Sequence, residues 1–136
     1  MANTTTVTKI MEGERHAVFH VYLKSDGVTG ELTDFVIADP AADLNPVLNA
    51  VPSMTIEQLW YDLDGFGARL EFDYLVDDTA AWTLSGNSGT HIDFSNIGGL
   101  KDRSNVLDGT GKLMITTSGF SSSSDNGTII IKVRKD

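Results

Sequence analysis

The alternation of apolar and polar positions is clearest between residues 56 and 74. Ala68, Leu70, Phe72 and Tyr74 alternate with Arg69, Glu71 and Asp73. A period of two gives one apolar and one charged face, as in a half-buried strand. Ahead of this run stand Leu59, Trp60, Tyr61 and Leu63, residue types that suit a packed, pleated surface. Asp64-Gly65-Phe66-Gly67 separates the two halves, and Asp-Gly supplies the positive φ of a tight reversal. The pattern predicts one long β-hairpin at the centre of the chain.

Similar signals recur on both sides. Residues 15–25 place Ala17, Phe19, Val21 and Leu23 on one face and Val18, His20 and Tyr22 on the other. Residues 128–134 divide Ile129, Ile131 and Val133 from Ile130, Lys132 and Arg134. Shorter strands are predicted over 32–38, 80–85, 90–94 and 113–117, with Trp82 and Leu84 on one face. Asp26-Gly27, Asp39-Pro40, Asp77-Asp78 and the loop 86–89 punctuate them, and Ser121 to Gly127 reads as a flexible turn. Residues 39–53 and 95–111 read as long loops suited to crossovers between two sheets.

Eight or nine short strands without a convincing helix predict an all-β, single-domain β-sandwich, jelly-roll-like, with an immunoglobulin-like or OB-like arrangement as the alternative. The inward phases name Phe19, Val21, Trp60, Leu70, Phe72, Trp82, Leu84, Ile129 and Ile131 as core. Residues 1–8 are Thr-rich and carry no large apolar side chain between Met1 and Val7. They are predicted to be an extended N-terminal arm that orders against a neighbouring subunit, leaving 9–136 as the sandwich.

Composition narrows the function classes. The chain has 136 residues, enough to bury roughly two thirds of its unfolded surface in one core. It has no cysteine, so disulfides, thiol nucleophiles and thiolate metal sites are excluded. Ten basic against nineteen acidic residues give a net charge of −9. The few Lys and Arg are scattered, which argues against nucleic acid or an anionic membrane as partner. No apolar run approaches the length of a membrane span. The N-terminus lacks a basic region followed by an apolar core, so no signal peptide is expected.

The candidate chemistry is thin. His16 and His20 stand on one face of a predicted strand, roughly 13 Å apart, too far to share an ion; His91 is alone. Asp62-Leu63-Asp64-Gly65 has the flavour of a calcium loop, but its glycine comes at the fourth position instead of the sixth, and turn chemistry accounts for it. Asp73, Asp77, Asp78 and Asp93 sit at turns or on polar strand faces, and no Gly-x-Ser-x-Gly elbow is present around Ser88. No catalytic residue, metal or cofactor is therefore expected. Trp60, Tyr61, Tyr74 and Trp82 could stack against sugar rings if they were exposed.

Several short motifs resemble those of small head proteins that decorate or cement the capsids of tailed bacteriophages. They are Trp60-Tyr61-Asp62; Trp82-x-Leu84-Ser85-Gly86 leading to His91-Ile92-Asp93-Phe94; Gly98-Gly99-Leu100; and Thr110-Gly111-Lys112-Leu113 followed by Thr116-Thr117-Ser118-Gly119-Phe120. Met1-Ala2-Asn3 and Gly13-Glu14-Arg15 fit as well. The resemblance spans most of the chain and rests on the order and spacing of these pieces. It implies a non-enzymatic virion protein present in many copies, whose partners are the major capsid protein and itself, as a homodimer or homotrimer. Repulsion from packaged DNA would place an acidic subunit on the outer capsid surface. Ala2, Asn3, Thr4, Thr5 and Thr6 are the expected partner-binding residues, adding a strand to a neighbour's sheet edge. The alternative is a carbohydrate-binding β-sandwich module displayed on a virion or cell surface.

Overall fold

A computed structural model describes residues 3–44, 54–74, 79–84, 88–101 and 109–135. Among these are ten strands: β1 (Thr4–Glu12), β2 (His16–Lys24), β3 (Phe35–Ala38), β4 (Met54–Asp64), β5 (Gly67–Tyr74), β6 (Thr79–Leu84), β7 (Ser88–Asp93), β8 (Leu100–Lys101), β9 (Gly109–Ser118) and β10 (Asn126–Lys135). One sheet runs β1-β2-β10-β4-β7, with the two-residue β8 also paired to β4; the other runs β3-β9-β5-β6. Every pairing is antiparallel.

Four of these pairings, β5 with β6, β4 with β7, β3 with β9 and β2 with β10, are the rungs of one long two-stranded ribbon. Rolling that ribbon on itself pairs β10 with β4 and β5 with β9, while β1 adds to β2 and β8 to β4 at the margins. This is the jelly-roll topology. The strand order therefore bears out the jelly-roll sandwich over its immunoglobulin-like and OB-like alternatives.

The central hairpin is not present. β4 and β5 lie in different sheets, and Asp64-Gly65-Phe66-Gly67 carries the chain from one to the other. Leu59, Tyr61 and Leu63 of β4 and Ala68, Leu70 and Phe72 of β5 all point into the space between the sheets, with Phe66 buried at the bend. Alternation and an Asp-Gly turn are common to a hairpin and to such an arch. They fix which side chains face inward but not which strand pairs with which. The Asp77-Asp78 turn, which joins β5 to its true partner β6, and the turn at Gly86 lie outside the described residues.

Seven of the nine predicted core residues are buried: Phe19, Val21, Leu70, Phe72, Leu84, Ile129 and Ile131. The two tryptophans are corrections. Trp60 is on the outer phase of β4, between inward Leu59 and Tyr61. Trp82 is 36% exposed on the edge strand β6, where a register shift opposite Leu70/Glu71 disturbs the alternation. The predicted loops also hold short elements. A helical turn, Pro40–Asp43, starts at a proline, whose fixed φ suits a first helical position. A 3₁₀ turn spans Ser95–Ile97 ahead of β8.

The N-terminal segment is a further correction. Thr4 to Thr8 are the first half of β1 and pair in register with His20 to Lys24, so there is no boundary at residue 8. Asn3 adds two side-chain bonds, from Nδ2 to the carbonyl of Gly30 (2.9 Å) and from the Asp26 amide to Oδ1 (3.0 Å). Val7 packs against the core. Main-chain pairing and these anchors offset an ordering cost that the short Thr side chains alone would not.

Three of the crossovers between sheets meet at Asp125, which is 4% exposed. Its Oδ2 accepts the amides of Ser121 (3.0 Å) and Ser122 (2.9 Å), so the serine-rich segment is a hydrogen-bonded turn and not a loose one. Its carbonyl accepts the Ser25 amide at the end of β2 (2.9 Å). Gly65, at φ +89°, sits so close that a β-carbon there would collide with Oδ1 of Asp125. Beside it the Phe66 and Phe120 rings meet at 4.6 Å. Asp125→Ala would strand two amides that now bond to a charged acceptor, so it should cost about 3 kcal/mol or more. Thermal unfolding should show a fall in Tm of roughly 10 °C; a change within about 2 °C would remove Asp125 from this role.

Candidate interaction surfaces

The open edges of the two sheets lie side by side. β1 and β3 are the first strands of their sheets, and each pairs on one side only among the described residues. A groove of about 390 Å³ runs between them, lined by Val7, Lys9, Phe19, Phe35, Val36, Ile37 and Asp43. Lys9 bridges it, its Nζ donating to the Asp43 carbonyl and to Glu12, each at 2.7 Å.

Exposed apolar side chains collect at such edges. Ile10 (56%) and Met11 (48%) project from β1 beside a register shift, Val36 from β3, and Val28 from the connection between β2 and β3. Trp82 of β6 and Ile97 after β7 lie at the opposite pair of edges. Among the described residues these six are the exposed large hydrophobics, and none comes from a central strand. Of the expected partner-binding residues, Asn3, Thr4, Thr5 and Thr6 lie at the start of this edge, while Ala2 is outside the described residues. Sequence reasoning missed Ile10 and Met11 because residues 9–12 show no strand alternation.

The other candidate residues do not converge. His16 Nε2 meets Glu57 Oε1 at 2.7 Å, and Arg134 approaches the other oxygen of Glu57 at 3.5 Å. His91 stacks on Trp60, with centroids 4.6 Å apart and planes within 5°. Asp62 and Asp64 on the outer phase of β4 stand beside Asn126 and Thr128 of β10 around a cleft. Among the described residues no three His, Asp or Glu side chains are grouped to hold an ion. The four aromatics proposed for sugar stacking are dispersed. Tyr61 is buried, Tyr74 ends β5, and Trp82 packs edge-on against Phe94 in a different sheet from Trp60.

Asp26 organises the loop that carries Val28. Its carboxylate accepts the amides of Val28 (2.8 Å) and Thr29 (2.7 Å) and the Thr29 hydroxyl. These bonds, led by the Thr29 hydroxyl, lower its pKa to about 2. A comparison with protein-family models, with curated proteins and with solved structures finds no match for this chain.

Because the folded pKa of Asp26 lies below its unfolded value, its contribution to stability is present above about pH 4 and is lost as pH falls through about 2. An NMR titration of its carboxyl carbon should show a midpoint near 2. Thr29→Val should move that midpoint upward. A midpoint already at the ordinary carboxylate value in the native chain would show that the loop is not held this way.

Proposed function

We propose that this chain is a non-enzymatic structural subunit of a virion, a decoration or cement protein that binds the outer surface of a shell of major capsid protein and stabilises it. The observation that carries the reading is the β1 edge. Among the described residues it is an edge strand, with Ile10 and Met11 exposed on it and Val36 on the neighbouring edge strand β3. A segment of a shell protein can add to such an edge by main-chain hydrogen bonds while its apolar side chains cover these residues. This is β-augmentation, with β1 acting as the receiving strand or as the strand donated. Asn3 to Thr6 remain the proposed partner-binding residues, now as part of a strand that already pairs on its other side.

The net charge of −9 supports the outer location. Like-charge repulsion disfavours the DNA-lined inner wall and keeps many copies soluble before assembly. The jelly roll itself is shared by capsid proteins, lectins and cupins, so it leaves the activity open.

The test is co-sedimentation of purified protein with capsid shells that lack it. The double substitution Ile10→Glu/Met11→Glu changes exposed positions only. It should leave Tm within about 3 °C and weaken shell binding by about tenfold or more. Deleting residues 2–6 should weaken binding and also lower Tm, because the first third of β1 is removed. If the double variant binds shells as tightly as the native chain, the β1 edge is not the docking surface. If native protein ignores shells but is retained by a glycan array, the carbohydrate-binding alternative replaces this reading.

A further inference from the structure

The outer faces of the two sheets are unlike. On the smaller sheet the outward phase carries Arg69, Glu71 and Asp73 of β5 and Thr116 and Ser118 of β9, with Met114 and its β3 partner Val36 as apolar members. On the larger sheet the register builds a different surface. His20, Ile130, Trp60 and His91 form one row across four strands. Tyr22 and Thr128 flank it on one side and Val18 on the other. The outer phase of β2, β10 and β4 thus holds a small apolar cluster of Val18, Tyr22, Ile130 and Trp60, set among His20, Thr128, Gln58 and charged residues. A recess of about 290 Å³ opens beside Trp60, lined in part by His91, Thr128 and Ile130.

Charge is arranged along the strands on either side of this row. Asp62 and Asp64 lie toward one end of β4. Lys132 and Arg134 lie toward the other end of β10, and Lys101 of β8 lies opposite Thr55 at that same end. Three charges, Lys24, Glu57 and Asp93, run against the pattern and are engaged within the chain. Lys24 donates to the Ser123 carbonyl (3.0 Å), and Glu57 holds His16 and Arg134. Asp93 sits in the row of Lys132 at the edge strand β7 and accepts the Ser95 amide (2.9 Å).

We infer that this face binds a second copy of the chain, the two large sheets packing face to face about a two-fold axis that lies in the interface, perpendicular to the strands, along the His20–Ile130–Trp60–His91 row. Such an axis turns one end of the sheet onto the other. It sets Asp62 and Asp64 against the end of the partner that carries Lys132 and Lys101, and it lays the His20–Ile130–Trp60–His91 row on itself. A two-fold parallel to the strands would set acid on acid. Five strands at about 4.8 Å spacing, with about nine residues each at about 3.4 Å, give a face of roughly 19 by 27 Å. That is roughly 510 Å² in projection, the size of a small interface beside the ~800 Å² that each partner contributes to a standard one. An isologous pairing needs one self-complementary patch, which this face supplies.

The inference stands apart from the shell reading, because it is tested without shells. Sedimentation velocity of the full chain should give a dimer, and Trp60→Glu should give a monomer whose Tm is unchanged within a few degrees. As a second measure, Asp62→Lys and Lys132→Glu should each weaken the dimer by about tenfold, and the two together in one chain should restore it. The chain has no cysteine, so introduced thiols report cleanly. Asp62→Cys mixed with Gln58→Cys should cross-link between chains, whereas Asp62→Cys alone should not. A native protein that is monomeric at all concentrations, a dimer indifferent to Trp60→Glu, or efficient cross-linking by Asp62→Cys alone would overturn the arrangement. Val36→Glu, on β3 of the smaller sheet, should remain dimeric, which separates this failure from failure of shell docking.

Discussion

A single buried carboxylate joins the crossovers at one end of this sandwich. Asp125 bonds to the Ser121 and Ser122 amides, its carbonyl receives Ser25, and its other carboxylate oxygen closes against Gly65. Three segments that pass between the sheets therefore share one polar centre, with Phe66 and Phe120 packed beside it. Glu31 adds a stitch from the same end, accepting the Phe120 amide at 2.6 Å. The two sheets are held at core-filling separation by these bends as well as by the side chains between them. A rolled ribbon has several long connections, and fixing them to one another lowers the entropy that each would otherwise keep.

How much of this was legible follows from what alternation encodes. A period of two tells inside from outside, so Ala17, Phe19, Val21 and Leu23 were readable as core from residue order alone. Sheet membership is not local, and so the Asp64–Gly67 arch looked like a hairpin. In the run Leu59-Trp60-Tyr61 three apolar residues in succession blur the period, so residue order alone does not show which phase Trp60 holds. Trp82 failed for another reason, a register shift on an edge strand. The β1 strand was hidden because Thr-rich sequence without large side chains resembles a frayed end; its pairing partner, β2, supplies the order. The candidate surface was legible only at Asn3 to Thr6. Ile10 and Met11 became significant once the sheet edge beside them was known.

The distribution of apolar surface fits a protein that works through contacts. Its exposed part is gathered at the sheet edges, and a smaller, half-buried cluster of Trp60, Ile130, Val18 and Tyr22 lies on the outer face of the larger sheet. A single domain with an edge groove and a separate apolar face has room for two kinds of neighbour at once. If the face takes a second copy and the edge takes a shell, the pair presents two edges to the shell. The effective concentration of the second edge then strengthens attachment without new chemistry.

The placement of β10 carries a consequence for how the chain reaches this structure. It is the last of the described strands, yet it lies in the middle of the larger sheet, with Val133 paired to both Ala17 and Ile56. During synthesis β2 and β4 emerge long before the strand that separates them. Each then has an unsatisfied edge and an apolar face, while the native alternative is still missing. Contacts of this sequence separation make folding slow and leave intermediates open to association. The acidic balance of the chain, and the Asp and Glu spaced along the early strands and turns, oppose that association by repulsion until the C-terminal strand slots in.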